Sequence, residues 1–165
     1  MIRPAPLSET QFFQKLDKFA PGGETSSDIR QQGHLDVLIR FERMSMAGLE
    51  GMHEYSRDAR MYQYLERTRP PTTLDDTEQY LRSRIKEDGR KAMGRTRIGW
   101  FIKRIKDDKI IGSMGLLNID YERQMTDWGF GLGAAYWGKG YSLEMLSLTQ
   151  QYVFEELCMN RIYGC

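Results

Sequence analysis

Six consecutive residues, Tyr136, Trp137, Gly138, Lys139, Gly140 and Tyr141, are the stretch of this chain best suited to hold a charged ligand. A strand-like run over 126–132 (Thr-Asp-Trp-Gly-Phe-Gly-Leu) leads into them, and Ser142 opens a long helical pattern behind them. Strand, glycine turn and helix N-terminus together make an anion cradle. Main-chain N–H groups point one way, the helix dipole adds positive character, and a phosphate can come close where no Cβ stands. On spacing alone a second reading stands level with the first: a tight turn that needs glycine for its backbone angles. Three carboxylates lie close by in sequence. Asp127 sits within the strand, and Asp120 and Glu122 precede it. Any of them could take a proton if it came within hydrogen-bond reach of a substrate. The competing reading of Asp127 is a strand-start carboxylate bonded to a neighbouring loop; that of Asp120 and Glu122 is solvated loop charge. His34 and His53 have no Cys or carboxylate spacing that makes a metal site, so no metal is expected. Ser142 has no His–Asp partnership to make it a nucleophile and reads as a helix cap.

The elements that must position this stretch follow from periodicity. Residues 1–33 read as an N-terminal extension with a short helix, which Ser8 and Gln11 cap and which carries Phe12, Phe13, Leu16 and Phe19, before a loop at 21–27. Residues 36–43 alternate, with Val37, Ile39 and Phe41 on one face of a strand. Helical character over 45–65 ends before Pro70 and Pro71. A threonine and three acidic residues then start a helix that places Leu74, Thr77, Leu81 and Ile85 on one face, with Gly89 as its C′ glycine. Residues 90–97 are a basic loop, read as solvated surface or as a steering charge for an anion. A hairpin runs from 99 to 119 about a polar turn at 106–109. Gly112 and Gly115 weaken its second strand unless something packs closely there. The helix over 142–159 is expected to be the longest and largely buried, with Leu143, Leu146, Val153 and Leu157 as its stripe, widened by Met145, Leu148 and Tyr152. Residues 160–165 begin one more strand. The result is a mixed α/β (α+β) fold around a mostly antiparallel sheet with helices on it.

Composition narrows the partners. A net charge of +1 gives no case for nucleic acid or an acidic membrane. No apolar run approaches the roughly 18 residues of a membrane span, and no signal-peptide pattern opens the chain. Cys158 and Cys165 make no disulfide framework, so a reducing, cytoplasmic setting is the expectation. The 165 residues fit one domain over 34–165 behind the extension.

The ordered pieces resemble the GNAT superfamily of acetyl-CoA-dependent N-acetyltransferases, closest to the branch that acetylates the N-termini of ribosomal proteins, with its amino-sugar and aminoglycoside relatives. The resemblance rests on five stretches taken in order: 72–81, the hairpin strands at 100–102 and 110–116, 126–132, 137–145 and 153–162. It implies acetyl-CoA as co-substrate, with its pantetheine arm between splayed fourth and fifth strands. The pyrophosphate would lie on Trp137, Gly138, Lys139, Gly140, Tyr141 and Ser142. It implies direct attack by a primary amine (a protein N-terminus, an amino sugar or a polyamine), with Asp127 as general base where the branch often has a Glu. Glu144 matches a common Glu of the branch and reads as a dipole-favoured structural residue.

The chain departs from the pattern at Ala135, where the superfamily often has Arg or Gln. It also ends at Cys165, before the last helix and strands of the family fold. The expectation is therefore a domain incomplete at its C-terminus, either a fragment or one completed by another chain, as in a homodimer. The alternative to an enzyme is a non-catalytic acyl-CoA-binding or dimerisation module of the same fold. A nucleotide-phosphate binder of another fold is disfavoured, because no Gly-x-x-x-x-Gly-Lys-Ser/Thr is present.

Overall fold

The computed structural model describes residues 7–17, 38–64, 69–88 and 97–164. The expectations for Phe19, the 21–27 loop, His34, Val37, Gly89, the loop at 90–96 and Cys165 lie outside these residues, as do the side chains of Phe13 and Leu16.

Five strands form one sheet in the order of the chain: β1 (Ile39–Arg43), β2 (Arg97–Arg104), β3 (Lys109–Asp120), β4 (Met125–Leu132) and β5 (Arg161–Gly164). The first three pairings are antiparallel, and only β4–β5 is parallel. Helices cover both faces: α1 (Glu9–Asp17) and α4 (Tyr141–Gln151) one, α2 (Leu49–Ser56) and α3 (Leu74–Asp88) the other. The mixed, mostly antiparallel α/β architecture is the expected one.

Alternation along the strands sorts the core. Ile98, Trp100 and Ile102 of β2 point to the α1/α4 face with Ile39, Phe41, Met114 and Leu116. Phe101 points the other way, into a smaller cluster with Met52, Tyr55, Leu81 and Ile110. Close approach accounts for the glycines inside β3. A Cβ on Gly112 would strike the carbonyl oxygen of Gly131, and one on Gly115 would lie 3.2 Å from the carbonyl oxygen of Ile98.

Local signals set the helix starts. In α1, Ser8 and Gln11 exchange bonds as a capping box: Ser8 N–H to Gln11 Oε1 at 3.0 Å, and Gln11 N–H to Ser8 Oγ at 3.3 Å. Phe12, buried at 2% exposure, then enters the main core against Tyr121, while the Tyr152 hydroxyl donates to the Lys15 carbonyl. In α3, Thr73 Oγ1 accepts from Asp76 N–H and the Asp76 carboxylate accepts from Thr72 and Thr73 N–H. Thr73→Ala is expected to lower unfolding free energy by about 1 kcal/mol in urea titrations, the usual cost of losing a cap.

The last helix differs from its sequence reading. Its α-helical part is 11 residues, shorter than the 15 of α3, and it passes into a π turn at Tyr152–Glu156. Leu143 is 68% exposed, so the predicted burial fails there. The face that packs is Met145, Leu148, Thr149, Tyr152 and Val153, because the helix crosses the sheet over β1 and the main core.

Candidate active site

The end of β4 turns sharply. Gly133 N–H bonds to the Ile111 carbonyl at 2.8 Å, and a 3-10 turn over Ala134–Tyr136 carries the chain to Trp137. The Trp137 indole N–H donates to the Leu132 carbonyl at 2.7 Å. Its polar atom therefore fastens the turn, while its ring stays 40% exposed. Gly138 (φ +71°) and Gly140 (φ +85°) both occupy the left-handed region that glycine adopts without strain. A Cβ at either would meet nothing within 4 Å, so both face open space.

Gly140 is the N-cap of α4, with no side-chain cap, and the helix begins at Tyr141. Ser142 is therefore not the cap expected of it. The glycine's positive φ turns the chain into the helix one residue early and leaves Ser142 inside the first turn. Among the described residues no hydrogen-bond acceptor meets the N–H groups of Gly138, Gly140, Tyr141 or Ser142, while the Lys139 N–H closes the hydrogen-bonded turn through Trp137 and Gly138. Tyr141 and Ser142 supply first-turn helix donors, which have no intrahelical partner. The Lys139 side chain is exposed.

Arg104 supports this turn, and sequence reasoning had no signal for it, because it lies more than thirty positions upstream on β2. Its guanidinium binds Asp107, stacks over the Tyr136 ring at 5.2 Å and reaches the Tyr141 hydroxyl. The bond to Arg104 holds the Asp107 carboxyl down at about 2. Glu144, in the first turn of α4, accepts from Leu38 N–H at 2.8 Å and so ties the helix to the start of β1. Burial pushes its carboxyl up, against the pull of the Leu38 and Ile39 N–H bonds, and its Oε2 has no partner. A raised folded value contributes stability below the unfolded value of about 4.5, which is lost as pH rises through the folded value. Glu144→Gln, which keeps the acceptor and removes the charge, is expected to flatten that pH dependence. Glu144→Ala is expected to cost about 1–3 kcal/mol by leaving backbone donors unmet. Urea unfolding at pH 4 and pH 7 checks both.

Beside the Phe101 cluster, part of the α2/α3 face carries few side chains. Gly99, Ser113, Gly115, Gly129 and Gly131 lie on that face of β2, β3 and β4, with Gly99 opposite Gly115 and Gly115 opposite Gly129. The hollow they leave is a cavity of about 640 Å³, roofed by Met52, Tyr55, Tyr62, Tyr80 and Arg84. Burial raises the Tyr55 hydroxyl well above its ordinary value, and it is bonded to Ser113. Asp127 is on this same face, two positions before Gly129 and opposite Leu117, which lines the cavity. A bulge after Leu117 puts Asn118 in a left-handed conformation, and its Nδ2 donates to Asp127 at 2.6 Å. Asp127 thus stands near one end of β4, about 17 Å from Leu132 at the other end at roughly 3.4 Å per residue, and the glycine turn follows beyond Leu132. Among the described residues β4 is paired with β5 as far as Trp128, opposite Gly164, and with β3 along its length. Asp120 instead holds Arg123 in the β3–β4 turn, and Glu122 is exposed there. His53 is bonded to Thr77 at 2.7 Å.

Comparison with known proteins is consistent with this layout. A family model described as an acetyltransferase (GNAT) domain matches residues 39–165. A 55-residue stretch is 38% identical to the uncharacterized N-acetyltransferase p20 of Bacillus licheniformis, covering 33% of this chain and 31% of that protein. A GCN5-related N-acetyltransferase from Brucella melitensis superposes with a TM-score of 0.64 at 18% identity, over 76% of this chain and 55% of that one. Spermidine N-acetyltransferase from Vibrio cholerae, solved with CoA and spermine, gives a TM-score of 0.61 at 16% identity, over 77% and 70%. At these identities the structural likeness speaks for the fold, and the chain spans only part of each of these proteins. The family model covers most of the chain, and on that match this chain belongs to the GNAT acetyltransferase domain family.

Proposed function

We propose that this chain transfers an acetyl group from acetyl-CoA to a primary amine. The observation that carries the reading is the turn of two left-handed glycines at the start of α4, where the N–H groups of Gly138, Gly140, Tyr141 and Ser142 meet no acceptor among the described residues. A diphosphate fits such a set, because free helix-start donors favour an anion and no Cβ stands at the two glycines. Bound there, acetyl-CoA supplies a thioester carbonyl that a neutral amine can attack, with the thiol as leaving group. Trp137 holds the turn in shape, and the Lys139 side chain adds charge at its rim. Asp127, fixed by Asn118, takes the ammonium proton. The glycine-floored cavity holds the acceptor: a protein N-terminus, as in the ribosomal-protein branch, an amino sugar or another amine. Positioning both reactants supplies much of the acceleration.

The exposed apolar groups of β4, β5 and α4, Phe130 at 50%, Tyr163 at 42% and Leu143 at 68%, support a further part of the proposal. Another chain covers them, as a homodimer or by completing the sheet. No helix among the described residues is long and apolar enough to cross a membrane, and the reading places the reaction in the cytoplasm.

Calorimetric titration with acetyl-CoA, followed by thiol release against a panel of amines, tests the reading. Binding with amine-dependent thiol release is expected. Binding without release from any amine would favour the acyl-CoA-binding module, and no binding would remove both.

A further inference from the structure

We propose that the amine accepted in the glycine-floored cavity carries an anionic group, held by Arg69, Arg84 and Arg97. The inference rests on reading that cavity as the acceptor site. Among the described residues the charged side chains lining it are these three guanidiniums and two carboxylates, Asp76 and Asp88. Both carboxylates are already engaged. Asp88, 7% exposed, accepts from Gly99 N–H at 3.1 Å and lies 3.8 Å from the Arg43 guanidinium. Asp76 caps α3, with Oδ2 accepting from Thr72 and Thr73 N–H at 2.9 and 2.8 Å.

The guanidiniums, by contrast, are short of acceptors. Arg84 and Arg97 share one carboxylate oxygen of Glu87, at 2.9 and 3.5 Å. The Arg84 Nε–H is buried with no acceptor, and its guanidinium lies 4.7 Å from the Tyr80 ring centre. No ion pair engages Arg69 among the described residues. Each guanidinium offers a fork of N–H donors that matches a carboxylate or phosphate in two-point geometry. A polyamine would set its remaining ammonium groups against these three cations, with no uncommitted carboxylate among the described lining residues to receive them. An amine that also bears a carboxylate brings the missing acceptor. Two sources share this chemistry: a free α-amino acid, and a peptide N-terminus followed by an acidic side chain.

The test is calorimetry on the chain saturated with coenzyme A, which has no acetyl group to transfer. The probes are L-glutamate, Ala-Glu-Ala-amide, Ala-Gln-Ala-amide and spermidine. The acidic peptide is expected to bind at least about tenfold tighter than its glutamine twin, as a charge-assisted contact requires, and spermidine weakest of all. In an Arg69→Gln/Arg97→Gln variant, checked for an unchanged melting temperature, the gap between the two peptides should close to about twofold or less. Glutamate binding as tightly as the acidic peptide identifies the free amino acid as the source; glutamate binding weakly identifies the peptide. Equal affinity for the two peptides, spermidine binding tightest, or a gap that survives the double substitution would overturn the proposal. The outcome is separable from the transferase reading. If coenzyme A fails to bind while the arginine-dependent peptide preference persists, the transferase reading fails and the charge preference of the cavity stands.

Discussion

Gly140→Val is expected to lower affinity for coenzyme A by about a hundredfold or more, the loss of two charge-assisted hydrogen bonds. Two effects act together. The backbone at Gly140 sits at φ +85°, where a branched side chain is strained, so the turn must shift and its free N–H groups move with it. In addition, the space where a Cβ would go is open, so any added side chain projects into the volume that a ligand needs. The substitution strikes no protein atom, so its folding cost is the backbone strain of a left-handed non-glycine residue, about 1–3 kcal/mol. Gly112→Ala is the matched control. There the new Cβ runs into the carbonyl oxygen of Gly131 between two central strands, and the fold, not the ligand, should suffer. Calorimetry and thermal unfolding on both variants separate the two mechanisms. Tight coenzyme A binding by a folded Gly140→Val protein would detach the turn from the cofactor.

Asp127→Asn is expected to leave coenzyme A affinity unchanged and to lower kcat by about 10²-fold or more, the range for removing a general base. Asparagine is nearly isosteric and can still accept from Asn118 Nδ2, so the strand and the bulge should be undisturbed. What it cannot do is take a proton from an ammonium group. Asp127→Glu should recover part of the rate, since it restores the carboxylate and lengthens its reach. A turnover unchanged in Asp127→Asn would place the base elsewhere.

Much of this was legible because the signals are local. The Ser8–Gln11 box, the Thr73 cap, the hairpin at 99–119 and the glycine turn each depend on a few adjacent residues. What was not legible depends on contacts distant in sequence. Glu144 meets Leu38 across 106 positions. Arg104 reaches Tyr136 and Tyr141 from another strand. The cavity's guanidiniums come from a loop, a helix and a strand start, and its floor is made by the absence of side chains on three strands. In the expected stripe of the last helix Val153 and Leu157 join the core with Met145, Leu148 and Tyr152, but Leu143 does not, because hydrophobicity does not say which apolar face a neighbour will cover. Leu143 and Met145 are both apolar, yet only Met145 meets the core. Ser142 was misplaced because the left-handed Gly140 before it already caps the helix.

The central claim is that bare main-chain donors around Gly138 and Gly140 bind the diphosphate. Amide nitrogen–proton NMR during a coenzyme A titration reads those groups directly, and glycine signals lie in a region of their own. The account predicts that the largest shifts fall on Gly138, Lys139, Gly140, Tyr141 and Ser142. Saturation with those five signals unmoved, and shifts elsewhere, would contradict it.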